Sequence, residues 1–220
     1  MHGRRRAPVS SFFSPSSVRQ HLYRRIWECS EQMGSVLAEH HRRRTIVNGR
    51  ATLLGWSNDS LRACSFGESL NLLADVDKAM AFNDVFKAFA AVYPFLKQCE
   101  WLIPFALSLP ILPFRYIYPP LATLLTLHMS MIHLAAKHRR EYRSQITQDR
   151  PRSKGKGRQN TLFHLLMASS LPESENRPKR MAHEGFEVLL AGSDTTARTI
   201  GIAAYHVMAS RTLDRGCTKS

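Results

Sequence analysis

Apolar residues recur at intervals of three and four near the end of the chain. Phe186, Leu189, Leu190, Ala197, Ile200, Ala204, Val207 and Met208 fall on one face of a helix, with a single gap of seven. Pro178 suits the first turn of that helix, where its missing N–H costs nothing, and Asn176 is placed to cap it. The pattern predicts one helix of about thirty residues. Nearer the start, Ser14-Pro15 reads as a cap and first turn. Val18, Leu22, Ile26, Met33 and Leu37 then form a stripe that ends in the basic run His40 to Arg44, a charge suited to a helix C-terminus. Residues 48–67 show no such stripe and read as a turn region. Phe82 to Ile103 is periodic again, with Pro94 expected to kink or divide it. Residues 101–136 are the most apolar part of the chain, but Pro104, Pro110, Pro113, Pro119 and Pro120 interrupt them. The run after Pro120 is shorter than the roughly twenty residues a membrane span needs. A basic helix through Arg143 follows, then the charged, glycine-containing stretch DRPRSKGKGRQN. No repeat is visible and β-branched runs are short, so the expected fold class is all-α.

The centre of the last helix breaks its own pattern. Gly192 costs about 1 kcal/mol relative to alanine in a helix interior, and Thr195 and Thr196 add β-branched crowding. Two readings of the patch stand side by side. Either Asp194 and the threonines form a solvated strip whose hydroxyls bond back to carbonyls one turn earlier, or a small residue beside a carboxylate and a hydroxyl forms a proton relay.

Ala191-Gly192-Ser193-Asp194-Thr195-Thr196 resembles the motif in the long central helix of the cytochrome P-450 haem-thiolate monooxygenases. RMAHEGFEVLLAGSDTTARTIGIAAYHVMAS is similar to the fungal branch of that superfamily along its whole length. LFHLLMASSLPESE resembles the short helix and turn before the central helix, and FNDVFKAFAAVYPFLKQCEWLIPFALSLP the substrate-roof helix and its loop. CSFGESLNLL looks like the Phe-Gly turn, and HGRRRAPVSSFFSPSSV the propionate-binding segment. The resemblance covers residues 2–210. It implies a P-450 fold running from the propionate-binding helix to the oxygen-binding helix. Residues 1–148 would hold the N-terminal helices and substrate roof, 149–160 a basic loop, 161–210 the short and central helices, and 211–220 a tail that matches nothing in the family.

The resemblance also assigns roles. His2 and Arg6 occupy the positions that pair with haem propionates, as charge-assisted donors to carboxylates. Ala191 and Gly192 let the helix run close to the haem. Thr195 is the alcohol beside the oxygen site and Asp194 the acid that supplies protons. The cofactor is haem, with electrons from NADPH through a flavoprotein reductase, and the substrate an apolar small molecule of fungal secondary metabolism. Phe86, Phe89 and Phe95 fit an apolar roof, though core packing explains them equally well. The family resides at the endoplasmic reticulum membrane. This chain shows neither anchor nor signal peptide, so a cytoplasmic or peripheral place, with the roof touching a membrane surface, is the alternative.

The axial ligand departs from the family. The thiolate loop carries phenylalanine seven residues before its cysteine and glycine four before. The corresponding pairs here are Leu22 and Arg25 for Cys29, Ser57 and Ser60 for Cys64, Val92 and Phe95 for Cys99, and Ser210 and Leu213 for Cys217. None fits. The glutamate-x-x-arginine element is absent as well. The 220 residues therefore read as a central portion of such an enzyme, expected to have no thiolate-ligated haem and no oxygenase activity alone. The other class of reading is a non-enzymatic remnant or a helical module at a membrane surface.

Composition changes little in this picture. A hydrophobic content of 44% supports a core. The four cysteines form no C-x-x-C pair and point to a reducing compartment rather than a disulfide framework. No two of the ten histidines stand three or four residues apart, so no zinc site is expected. The net charge of +14 raises nucleic-acid binding, but the basic residues are scattered in clusters without a dense stripe or a binding motif. Basic surface near the first helices is also what the family offers to its acidic reductase.

Overall fold

Residues 48–67, which carry no apolar stripe, form the central helix of the fold rather than a turn region. The computed structural model describes residues 2–98, 116, 119–147, 161–169 and 172–210. Within them lie α1 (His2–Phe12), α2 (Pro15–Ser17), a π-helical segment Val18–Leu22 and α3 (Tyr23–Arg43). Then come α4 (Gly49–Phe66), a 3-10 turn Leu72–Ala74, α5 (Val76–Gln98) and α6 (Pro119–Thr147). The last elements are α7 (Leu162–Ala168), a 3-10 turn Glu173–Asn176 and α8 (Pro178–Ala209). Among the described residues there is no strand, and the fold is all-α. Part of the apolar roof, the loop 149–160, the tail 211–220, and Cys99 and Cys217 lie outside the described residues.

The missing stripe has a physical cause. Stripes mark helices with one wet face, and α4 is buried on nearly every side. Its interior polar residues are Thr52, Ser57, Asn58, Asp59, Ser60, Arg62 and Ser65. Buried polar groups need partners, and Asp59 shows how they are found. Its carboxylate accepts the Ser69 hydroxyl at 2.7 Å and the backbone N–H groups of Leu70 at 3.2 Å and Leu73 at 2.9 Å. One buried charge thus sets the path of the loop after α4. Asn48 caps the helix by accepting the Ala51 N–H at 3.1 Å. Gly67, at φ +75°, ends it in the left-handed conformation that glycine adopts without penalty. Arg25 of α3 donates to the Ala63 and Cys64 carbonyls at 2.9 and 3.3 Å, satisfying the last turn from outside.

Other boundaries follow local chemistry. Ser14 caps α2 through the Ser17 N–H at 3.3 Å, as expected. Pro178 does open α8, but the capping position is Arg177 and no side chain caps it, because Asn176 belongs to the preceding 3-10 turn. Helix α5 starts at Val76, six residues before the predicted start. There the Asp75 carboxylate accepts the Lys78 N–H at 3.0 Å. It runs through Pro94 to Gln98 without dividing. Arg139 and Arg143 of α6 meet Glu173 at 3.2 and 2.5 Å, tying the turn before α8 to the basic helix.

Phe12, Leu54, Phe66, Met131, Phe163 and Leu189 fill the space between α1, α4, α6, α7 and α8. Phe66 and Phe163 meet with ring centroids 4.9 Å apart. Among the described residues no helix is long and apolar enough to cross a membrane.

Two predictions follow from this packing. A methyl group on Gly55 would lie 2.8 Å from the Leu73 nitrogen and 2.9 Å from its Cα, against backbone that cannot turn aside. Gly55→Ala should therefore destabilise the fold by about 2 kcal/mol or more despite its better helix propensity, as a shifted urea midpoint. The second concerns acid. Burial holds the His138 imidazole below its ordinary value of 6.5, and burial followed by the neighbouring His183 does the same to His128. A depressed folded value means that the unfolded chain takes up protons first as pH falls. These histidines' contribution is complete above about pH 6.5 and is lost as pH drops from there toward the folded values. The His138→Gln variant should lose less stability than wild type in urea titrations between about pH 7 and about pH 5.

Candidate functional site

Helix α8 buries Met181, Ala182, Gly185, Phe186, Leu189, Ser193 and Ala197, a stripe at three- and four-residue spacing. The motif residues straddle the edge of that stripe, and each faces a different neighbour. A Cβ on Gly192 would lie 2.8 Å from Leu61 Cδ2, so the glycine admits a leucine of α4. Ser193, fully buried, accepts the Asn58 amide of α4 at 3.1 Å.

Asp194 turns toward α4 and α5. Its side chain is 16% exposed, and each carboxylate oxygen faces a guanidinium. Oδ1 accepts from Arg50 Nη2, and Oδ2 accepts from Arg198 Nε at 2.7 Å. Arg50 is itself fixed. Its Nε and Nη2 both donate to Asn83 Oδ1, at 3.0 and 2.9 Å, and Asn83 is buried in α5. Charge-assisted bonds from a planar, doubly anchored guanidinium hold direction as well as charge.

Thr195 points the other way. Ala191, Thr195, Arg198, Thr199 and Ile202 form an exposed strip along α8. The Thr195 hydroxyl donates to the Ala191 carbonyl at 2.6 Å, and the Thr199 hydroxyl to the Thr195 carbonyl at 2.8 Å. Each hydroxyl spends its one proton on the helix, so its oxygen faces outward as an acceptor. The geometry shows the back-bonding reading of the patch. The threonines back-bond, and the strip presents two hydroxyl oxygens and the Arg198 guanidinium beside Ala191 and Ile202. Thr196 is exposed beside it. His2 and Arg6 lie in α1, and their side chains fall outside the described positions.

Ala191 and Thr195 are left exposed among the described residues. The strip from Ala191 to Ile202 offers those two residues as small and apolar contacts, two threonine oxygens and the Arg198 guanidinium at its edge. The described cysteines do not fit an axial thiolate. Cys29 and Cys64 are buried between α3 and α4. Burial raises the Cys29 thiol and pushes Cys64 up to about 11, and Cys64 Sγ stands 3.8 Å from the Leu22 carbonyl as a weak donor. Buried, protonated thiols of this kind are inert as ligands.

Sequence reasoning missed Arg50, Asn58, Leu61, Asn83 and Arg198. Three of these lie in the stretch without periodicity, and no pattern links Asn83 to Asp194 across the intervening chain. Only Arg198 had a local signal that could have found it, the i, i+4 spacing to Asp194.

Gly192 supplies a contrast with Gly55. Leu61 Cδ2 is the free end of a side chain that can rotate away. Gly192→Ala should change stability by no more than about 1 kcal/mol, the propensity gain offsetting the shift. Gly192→Val should destabilise by about 1–3 kcal/mol, and Leu61→Ala in the same chain should relieve part of that loss. A double-mutant cycle by thermal unfolding reads the coupling.

Comparison with known proteins bears on the family. The profile of the family Cytochrome P450 matches residues 2–219. The cytochrome P450 monooxygenase TRI4 of Trichoderma arundinaceum is 25% identical over 211 residues, covering 96% of this chain and 38% of that protein. The N-acetyltryptophan 6-hydroxylase ivoC of Emericella nidulans is 25% identical over 214 residues, 94% of this chain and 39% of its own length. The cytochrome P450 monooxygenase tpcC of Cochliobolus heterostrophus is 26% identical over 211 residues, 95% and 38% respectively. The chain thus spans about two fifths of the length of the curated relatives it matches. No solved structure matches it significantly. With the family profile spanning nearly every residue and an all-α fold that sets Ala191 and Thr195 on one open helix face, the chain belongs to the cytochrome P450 family.

Proposed function

We propose that this chain provides one wall of the haem pocket in a monooxygenase that inserts one atom of O2 into an apolar small molecule of fungal secondary metabolism. The observation that carries the reading is the division of the motif. Gly192, Ser193 and Asp194 are committed to α4 and α5, while Ala191 and Thr195 stand open on the opposite side. Haem held by a thiolate would supply the oxygen activation, which belongs to the cofactor rather than to any side chain.

The chain's own residues bind and orient. Ala191 keeps the surface of α8 low enough for a flat ring to lie against it. The Thr195 oxygen, its proton spent on the Ala191 carbonyl, accepts a hydrogen bond from a water or hydroxyl on that face. Asp194, one position along, is the acid nearest in sequence to that strip. His2 and Arg6 would donate to the cofactor's propionates. Electrons come from NADPH through a flavoprotein reductase that docks on the basic surface of the early helices. The protein sits at the endoplasmic reticulum membrane or peripherally on its surface.

Because the described cysteines are unsuited to ligation, the reading places the thiolate elsewhere. Sequencing the full message from this locus should show it running on into a glutamate-x-x-arginine helix and a cysteine loop. A message that stops at Ser220 sinks the monooxygenase reading and leaves the non-enzymatic module. For the 220 residues alone, the reduced, carbon-monoxide-treated protein should lack the thiolate-type absorption band. Its appearance would show that one of the four cysteines serves after all. In the haem-loaded longer protein, Thr195→Ala should lower product formed per NADPH consumed by about tenfold, the scale of one lost hydrogen bond on that face.

A further inference from the structure

The Asp194 side chain is 16% exposed, and the two cations that meet its carboxylate are unequal. Arg198 is 61% exposed and lies one helical turn away, the kind of pair that solvent and salt weaken. Arg50 is 29% exposed and reaches Asp194 from the first turn of α4. Its direction is set by Asn83, whose buried amide oxygen takes both Nε and Nη2. Its remaining terminal nitrogen, Nη1, is buried without a hydrogen-bond partner. A guanidinium that leaves a donor unsatisfied in order to face Asn83 and Asp194 together is held there by geometry that its other contacts do not explain.

We propose that Arg50, braced by Asn83, is the positioning residue of Asp194. It fixes the carboxylate on the α4–α5 side of α8 and so keeps it off the open strip that carries Ala191 and Thr195. With both oxygens engaged by guanidinium groups, Asp194 serves that strip only after the Arg50 contact is broken. Arg198 travels with Asp194 on the same helix and can follow it, whereas Arg50 is anchored to a different pair of helices. The Arg50 contact is therefore the step that decides where the acid stands. This rests on the reading of the Thr195 strip as the reacting side.

Carboxyl labelling tests it on the 220-residue chain. A water-soluble carbodiimide and an excess amine convert reachable carboxyls to amides, and peptide mass spectrometry reads the rate at each aspartate. Asp84, half exposed and paired among the described residues only with the exposed Lys87, reports the rate of a solvent-reached ion pair, and buried Asp59 reports the integrity of the fold. In wild type, Asp194 should label far more slowly than Asp84. Arg50→Gln should raise the Asp194 rate by about tenfold, the scale of one lost charge-assisted bond, with Asp59 still protected. Arg50→Lys should not restore protection, because a single ammonium cannot serve Asn83 and Asp194 in one plane. Arg198→Gln should change the rate much less. An Asp194 rate in Arg50→Gln equal to wild type overturns the proposal. If Asp59 is exposed in that variant, Asn83→Ser decides instead. Faster labelling of Asp194 with Asp59 protected upholds the brace, and an unchanged rate overturns it. The labelling needs no haem, so its failure is separate from that of the monooxygenase reading, which the transcript and the carbon-monoxide spectrum decide.

Discussion

The crossing of α4 and α8 is the contact on which the rest of the fold depends. Gly192 admits Leu61 at one point of it, and Leu53 packs beside Gly201 at another. Between them Asn58 donates to Ser193. Two helices that approach through glycine can bury polar side chains at the seam, because those side chains reach each other directly. Helix α4 then serves every other neighbour: its last carbonyls go to Arg25 of α3, its aspartate to the loop before α5, its first turn to Asn83. Moving α4 would break all of these at once.

A hub of this kind stores cost as well as support. Arg62 is 4% exposed, and burial lowers its proton affinity. Its contacts are Met131 Sδ at 3.6 Å and the Phe66 ring at 6.0 Å. Its Nε has no hydrogen-bond partner, and neither have Asn58 Oδ1 and Ser65 Oγ on the same helix. Each such group forfeits its hydration without full replacement. Hydrophobic filling would have been the more stable solution. A polar α4 instead sacrifices stability for a seam in which each neighbour has one register, set by hydrogen bonds rather than by interchangeable methyl groups.

That choice decides what could be read from the chain. Helix α8 was legible because one of its faces is wet, so its apolar residues recur with the period of the helix. Helix α3 was legible for the same reason, and Ser14 and Pro178 marked their turns by chemistry that acts within four residues. Helix α4 was not legible, since a helix buried on all sides has no contrast to display, and its serines and asparagines imitate a turn. The candidate site divided along the same line. Thr195 and Asp194 stood out as poor helix formers, and the Arg198 spacing could be counted. Arg50 and Asn83 are related to Asp194 only through the packing of three helices, which no local pattern encodes.

The motif itself has a geometric logic that follows from the helix period. Successive residues on a helix are about 100° apart, so a run of four sweeps the whole circumference. Gly192 and Ser193 fall on the seam, Asp194 at its edge, and Thr195 outside it, with Ala191 one turn before Thr195 on the same open side. A single short string can therefore anchor the helix from one side and present a smooth, hydroxyl-bearing surface from the other. Shifting the string by one residue toward the N-terminus would place the aspartate against Asn58 and the threonine against Arg50, losing both functions. The adjacency of the acid and the alcohol is thus a consequence of where the seam ends. What separates their roles is the guanidinium on one side of that boundary.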